Sequence, residues 1–230
     1  MKEEANKTNG AINKANGAGE RMSSMKVRTE LAGMIRWSDR FAQKLLGAYD
    51  RVFTIEEKDQ ADIYLDVGVD YAKAGKAETA AEALEKSLKL QPDNQDAWYH
   101  LGKVRMLQRR PDDALKAYEK SKELGNDSFD LHFALSEALS DKDNQAGVVA
   151  ELRVAVKQKP DSAEAYYRLG VALDKLKKYE DAVVAFEKAI EISPREVNFI
   201  QSLGFTHDTM GQHEKAIACF KRAVEMERRK

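Results

Sequence analysis

Apolar and small residues return along the chain in two interleaved stripes that repeat every 34 residues, in the blocks 61–94, 95–128, 129–162, 163–196 and 197–230. One column of that frame holds Gly68, Gly102, Ser136, Gly170 and Gly204. Four places earlier it reads Tyr64, Trp98, His132, Tyr166 and Ile200, and one place earlier Val67, Leu101, Leu135, Leu169 and Leu203. Spacings of three and four predict a first helix with one apolar face, and the small column lets a second helix approach it closely. Twelve residues after that column come Ala80, Ala114, Val148, Ala182 and Ala216. Leu84, Tyr118, Leu152, Phe186 and Phe220 follow four later, as the facing stripe of the second helix. Pro92, Pro160 and Pro194 punctuate three block ends, where a missing amide is tolerated and continuation of a helix is opposed. The expected fold is all-α, a row of helical hairpins.

The Trp/Tyr, Leu-Gly, Ala, aromatic and Pro positions on a 34-residue period resemble the tetratricopeptide repeat, over 170 of the 230 residues. That resemblance implies a right-handed solenoid whose concave side is lined by first helices. A lone hairpin leaves an apolar face open, and stacked neighbours cover it. Residues 61–128 form the first two repeats, 129–162 a divergent third, and 163–230 the fourth and fifth. The frame weakens where the second block ends in KELGNDSFD without a proline and the third carries Ser136, Val148 and the polar run SDKDNQAG. A softer junction near residues 125–148 follows, with a uniformly rigid array as the alternative.

Upstream, residues 1–25 mix charge with Gly, Asn and Ala, lack a long apolar run, and are expected to be disordered. Residues 26–60 differ. Leu31, Met34, Trp37, Phe41, Leu45, Tyr49 and Val52 recur every three or four residues, the pattern of an amphipathic helical segment. This segment is either a degenerate hairpin folded onto the first repeat, an arm that docks in a neighbour's groove, or an element lying at a lipid interface.

One place after the aromatic column, Leu65, Tyr99, Phe133, Tyr167 and Gln201 should point into the concave groove as an apolar and aromatic ladder. Lys103, Arg168 and Asp174 add charge beside it, with Glu137, Val171 and Phe205 nearby. Such a wall suits an extended segment or an amphipathic helix, the rings supplying area and the charges register. Some of these rings could equally serve packing between helices. Chaperone adapters of the tetratricopeptide class hold a terminal carboxylate with lysines, asparagines and an arginine. That set is not matched here, which disfavours such a role.

Composition removes several other classes. Lys plus Arg number 38 against 39 Asp plus Glu, a formal net charge of −1, so no global field draws nucleic acid or anionic lipid, and Lys103 and Arg168 alternate with Glu137 and Asp174. The single cysteine, Cys219, sits in an apolar stripe and reads as an inert thiol. His100, His132, His207 and His213 have no zinc-site spacing. Neither a catalytic set nor a cofactor site is expected, and nothing in the first residues reads as a secretory signal, so a cytoplasmic protein is the expectation.

The order of features narrows the resemblance. QKLLGAYDRVF leads into YLDVGVDYAKAGK, and later YYRLGVALDKLKKYEDAVVAFEKAIEISP and FTHDTMGQHEKAIACFKRAVEME follow. Together they are similar to the magnetosome-associated tetratricopeptide proteins of magnetotactic bacteria. This implies a homo-oligomeric scaffold on the cytosolic side of the magnetosome membrane, attached peripherally and indirectly through other magnetosome proteins. It also implies an N-terminal arm, carrying Trp37, Phe41, Leu45 and Tyr49, that enters the groove of another copy. The alternative is a monomeric adapter whose groove takes a peptide or helix from an unrelated partner.

Overall fold

The structure is a computed structural model, and it describes residues 57–228. Expectations about the N-terminal arm, including Trp37, Phe41, Leu45 and Tyr49, lie outside the described residues. Within them the chain forms five hairpins. They are α1 (Glu57–Lys73) with α2 (Ala77–Leu90), α3 (Gln95–Leu107) with α4 (Pro111–Glu123), α5 (Phe129–Asp141) with α6 (Gln145–Gln158), α7 (Ala163–Lys175) with α8 (Tyr179–Ile192), and α9 (Val197–Thr209) with α10 (His213–Glu227).

Each hairpin closes through the same backbone device. Five residues spaced 34 apart have positive φ: Gly75 at 75°, Arg109 at 59°, Asp143 at 55°, Lys177 at 60° and Gly211 at 74°. The amide of the next residue then reaches back to a carbonyl five positions earlier, as in Lys76 N–H to Tyr71 O at 2.9 Å and Lys178 N–H to Leu173 O at 2.9 Å. This is the Schellman ending, which satisfies carbonyls orphaned at the end of a helix. Side-chain caps start several of the first helices. Asn94 accepts from the amides of Asp96 and Ala97, Ser128 from Leu131 and Ser162 from Ala165, each cap worth about 1 kcal/mol.

The small column meets the bulky one across each hairpin. Gly68 lies against Leu84, Gly102 against Tyr118, Gly170 against Phe186 and Gly204 against Phe220. Buried Ser136 occupies the column in the third hairpin, sixteen residues before buried Leu152. Successive hairpins then cover one another, as when Val197 and Ile200 of α9 join Ala189 and Ile190 of α8 in one apolar cluster. First helices also touch directly, α1 with α3, α3 with α5 and α7 with α9, whereas second helices make no comparable contact with each other. The stack therefore bends with its first helices on the inner side.

Between α4 and α5, polar bonds join the apolar contacts in holding the joint. Gly125, at φ 101°, turns the chain where the other hairpin junctions carry proline. Buried Asn126 donates to Ser121 Oγ at 2.9 Å, Ser121 Oγ donates to Gln95 O at 2.8 Å, and Ser128 Oγ donates to Asn126 Oδ1 at 2.7 Å. Among the described residues no helix is long and apolar enough to cross a membrane.

Candidate protein-binding wall

Leu65, Tyr99, Phe133, Tyr167 and Gln201 recur one per first helix, and all five are half-buried. That intermediate exposure has a packing cause. The Tyr99 ring lies 6.0 Å from Tyr118, and Tyr167 stacks on Phe199 of the next first helix at 4.7 Å while flanking Phe186 at 5.9 Å. Phe133 stacks on Phe129 at 5.6 Å. Tyr99 and Tyr167 thus pack against other helices with part of each ring, whereas Phe133 stacks on a neighbour in its own helix.

Charges are fixed over those rings. The Lys103 ammonium sits 5.5 Å from the centre of Tyr99, and the Arg168 guanidinium 4.6 Å from the centre of Phe133. Contacts of this kind contribute about 0.5–1 kcal/mol at partly exposed sites. Arg168 also donates to Glu137 at 2.7 Å, across the joint between third and fourth hairpins, and to Glu164 at 2.6 Å. Burial alone would lower its basicity, and the two carboxylates more than offset this, so its proton is held above the usual arginine range. Asp174 accepts from Thr206 Oγ1 at 2.8 Å, linking the fourth hairpin to the fifth. The expected site residues therefore fall into local groups: Tyr99 with Lys103, Phe133 with Arg168, and Asp174 with Thr206. Leu65 packs instead with the apolar cluster of the first hairpin.

Burial pushes the Tyr99 phenol up to about 12, reinforced by the negative charges of Asp130 and Glu137. Tyr118 behind it is raised further, again chiefly by burial. Burial lowers His100, with Lys103 adding to the effect. Between α5, α6 and α7 the wall opens into a groove of about 320 Å³, bordered by Ser136, Tyr167, Arg168 and Val171. Among the described residues no group of three or more His, Cys, Asp or Glu is arranged to hold a metal.

Sequence reasoning missed Phe129 and Glu164 as members of this surface and buried Thr206 as the partner of Asp174. Phe129 and Glu164 fall in the first turn of their helices, outside the columns that the 34-residue frame singles out, and Thr206 acts across a hairpin boundary. His132, which sequence reasoning placed in the aromatic column and found without zinc-site spacing, is 1% exposed, with Nδ1 2.5 Å from Glu151 Oε2 and Nε2 2.7 Å from Asp127 Oδ1.

Comparison with known proteins agrees with this architecture. Tetratricopeptide repeat profiles match residues 65–129, 163–196 and 197–230. Among solved structures, a crystal structure of MamA superposes with a TM-score of 0.69 at 30% identity, over 73% of this chain and 92% of that one. MamA residues 41 to the end from Desulfovibrio magneticus RS-1 superpose at 0.70 and 22% identity, over 77% of this chain and 99% of that one. YrrB, described as a tetratricopeptide protein with an unusual peptide-binding site, superposes at 0.72 and 21% identity, over 78% and 90% of the two chains. No curated protein matches by sequence comparison.

Proposed function

Since this chain belongs to the tetratricopeptide repeat family and closely resembles MamA, we propose that it assembles with copies of itself on the cytosolic face of the magnetosome membrane and displays binding sites there for other magnetosome proteins. The fold is that of a protein–protein interaction scaffold, a role that requires no chemistry. Copies associate through the N-terminal segment that carries Trp37, Phe41, Leu45 and Tyr49. The receiving wall is the ladder Leu65, Tyr99, Phe133 and Tyr167, with Lys103, Arg168 and Asp174 fixing the register of what lies against it. Many weak contacts multiply into firm attachment once the copies are joined, so association with the membrane is peripheral and runs through partner proteins.

One observation carries this reading: the wall presents half-buried rings with pinned charges above them, a surface already ordered before a partner arrives. Preorganised rings lose little freedom on binding. Light-scattering mass of the full chain over a concentration series tests the proposal. We expect an assembly that loses mass in Tyr99→Ala/Phe133→Ala and in Trp37→Glu/Phe41→Glu, with helicity retained in both. A monomer at every concentration would instead favour an adapter whose groove receives a foreign peptide, and assembly indifferent to Tyr99 and Phe133 would remove the wall from the contact.

A further inference from the structure

The outer face of α10 carries the apolar columns that α8 buries against the following hairpin. In α8, Phe186 and Ile190 are 1% and 8% exposed, because α9 lies over them. Their equivalents 34 positions later are Phe220, which is half-buried, and Val224, which is 45% exposed. Half-buried Val183 corresponds to Ile217, at 52%, and half-buried Val171 to Phe205, at 64%. Phe205 of α9 meets Phe220 edge to face at 5.1 Å, on the side of this surface nearest the wall. An apolar stripe of three large side chains on α10, Ile217, Phe220 and Val224, is thus left without a described element against it, although the same columns of α8 make helix-on-helix contact.

The charges along α10 identify what fits. Ile217 and Val224 are two turns apart on one stripe, and Glu214, Lys221 and Arg228 line its outer edge at the same seven-residue spacing. A two-fold axis through the Phe220–Lys221 step, perpendicular to the helix, sets a second α10 antiparallel to the first. In that arrangement Ile217 lies opposite Val224 of the other copy. The first turn, with Glu214, comes level with the last turn, with Arg228, and the symmetry makes this pairing occur twice. The order acid, base, base along the edge is self-complementary only in the antiparallel sense. The two Lys221 side chains flank the axis, where long stems lean their ammonium groups out to water.

We propose that the face formed by Ile217, Phe220 and Val224 of α10 is a tail-to-tail interface with a second copy of this chain. The contact is isologous, so it closes after two copies. It is separate from the first-helix wall, and a chain engaged there keeps that wall free. Two different self-contacts on one chain extend an assembly, where either alone would stop it or run it in one direction only.

Disulfide trapping across the proposed axis tests this on the full chain. Cys219→Ala/Lys221→Cys places a lone thiol at the axis, and Cys219→Ala/Lys215→Cys places one on the opposite side of α10. We expect the first to form a covalent dimer at least about tenfold faster than the second under mild oxidation, as a preformed contact raises the local thiol concentration. Adding Glu214→Arg to the first should slow the reaction, and adding Arg228→Glu as well should restore it. Equal rates at positions 221 and 215 overturn the proposal and leave the face to another protein or to the N-terminal segment. A charge reversal that Arg228→Glu fails to restore overturns the antiparallel register. Since the wall residues are untouched, loss of trapping is distinguishable from failure of the wall contact.

Discussion

Gly170 is in direct contact with Phe186: a methyl group on Gly170 would stand 2.7 Å from two carbons of that ring. The ring has little room to retreat, because Phe186 is 1% exposed and flanked by Tyr167 at 5.9 Å. Gly170→Ala would gain about 1 kcal/mol of helix propensity, and overpacking would cost about 1–3 kcal/mol. We expect a net loss, with a lower urea midpoint and an unchanged slope. A stabilised Gly170→Ala would show that α7 and α8 separate easily.

The serine column of the second helices offers a contrast between two similar residues. Ser87 and Ser121 are both fully buried, in a column that reads Ala155, Ala189 and Ala223 further on. Ser121 donates to Gln95 O and accepts from Asn126, whereas the Ser87 hydroxyl has no partner among the described residues. Removing an unpartnered hydroxyl relieves a desolvation cost, and removing a partnered one strands the groups it served. Ser87→Ala should therefore leave stability equal or higher by up to about 1 kcal/mol, and Ser121→Ala should lower it by about 1–2 kcal/mol. Equal losses in chemical denaturation would contradict this distinction.

The hairpins and their partner columns were legible in sequence because the contact between the glycine and bulky columns recurs with the repeat. The turns were less so. Of the five positive-φ residues that close the hairpins only Gly75 and Gly211 are glycine, and Arg109 and Lys177 carry no compositional sign of that conformation. Exposure along the wall was also hidden: helical phase places Tyr99 and Tyr167 on the inner side, but their partial burial depends on Tyr118 and Phe199, which belong to other helices. Contacts such as Asp174 with Thr206 span hairpins, and a repeat frame read one column at a time does not pair them.

Tyr99 should also report the wall's state at high pH. Its phenol holds the proton to about 12 in the folded chain, against a reference of 10.0, because burial disfavours the phenolate and Asp130 and Glu137 repel it. A raised value means the unfolded chain loses its proton first. The stabilising contribution is thus complete below about pH 10 and falls away between about 10 and 12. The difference in phenolate absorbance between the unaltered chain and Tyr99→Phe should have its midpoint near the upper value. A midpoint near that of free tyrosine would mean the ring stands in water.

His132 and Glu151 depart from the repeat together. The His132 column otherwise holds Tyr64, Trp98, Tyr166 and Ile200, and the Glu151 column Ala83, Ala117, Ala185 and Cys219. In the third hairpin the aromatic–alanine pairing is replaced by an imidazole held between the carboxylates of Glu151 and Asp127, with Lys122 Nζ 3.0 Å from Glu151 Oε1. This knot ties α4, the α4–α5 turn, α5 and α6 at the joint between the second and third hairpins. His132→Phe restores the column's usual type but removes a hydrogen-bond partner of the Glu151 carboxylate, and losing a hydrogen bond to a charged group costs about 1.5–3 kcal/mol. Adding Glu151→Ala returns both columns to the pattern of the other hairpins, and replacing both partners is close to neutral. We therefore expect His132→Phe to lose about 1.5–3 kcal/mol in chemical denaturation and the double variant to recover most of it. Recovery would establish that the pair is one coupled substitution. If the double variant is no better than His132→Phe, the histidine stabilises the joint mainly through Asp127 and the packing of its ring.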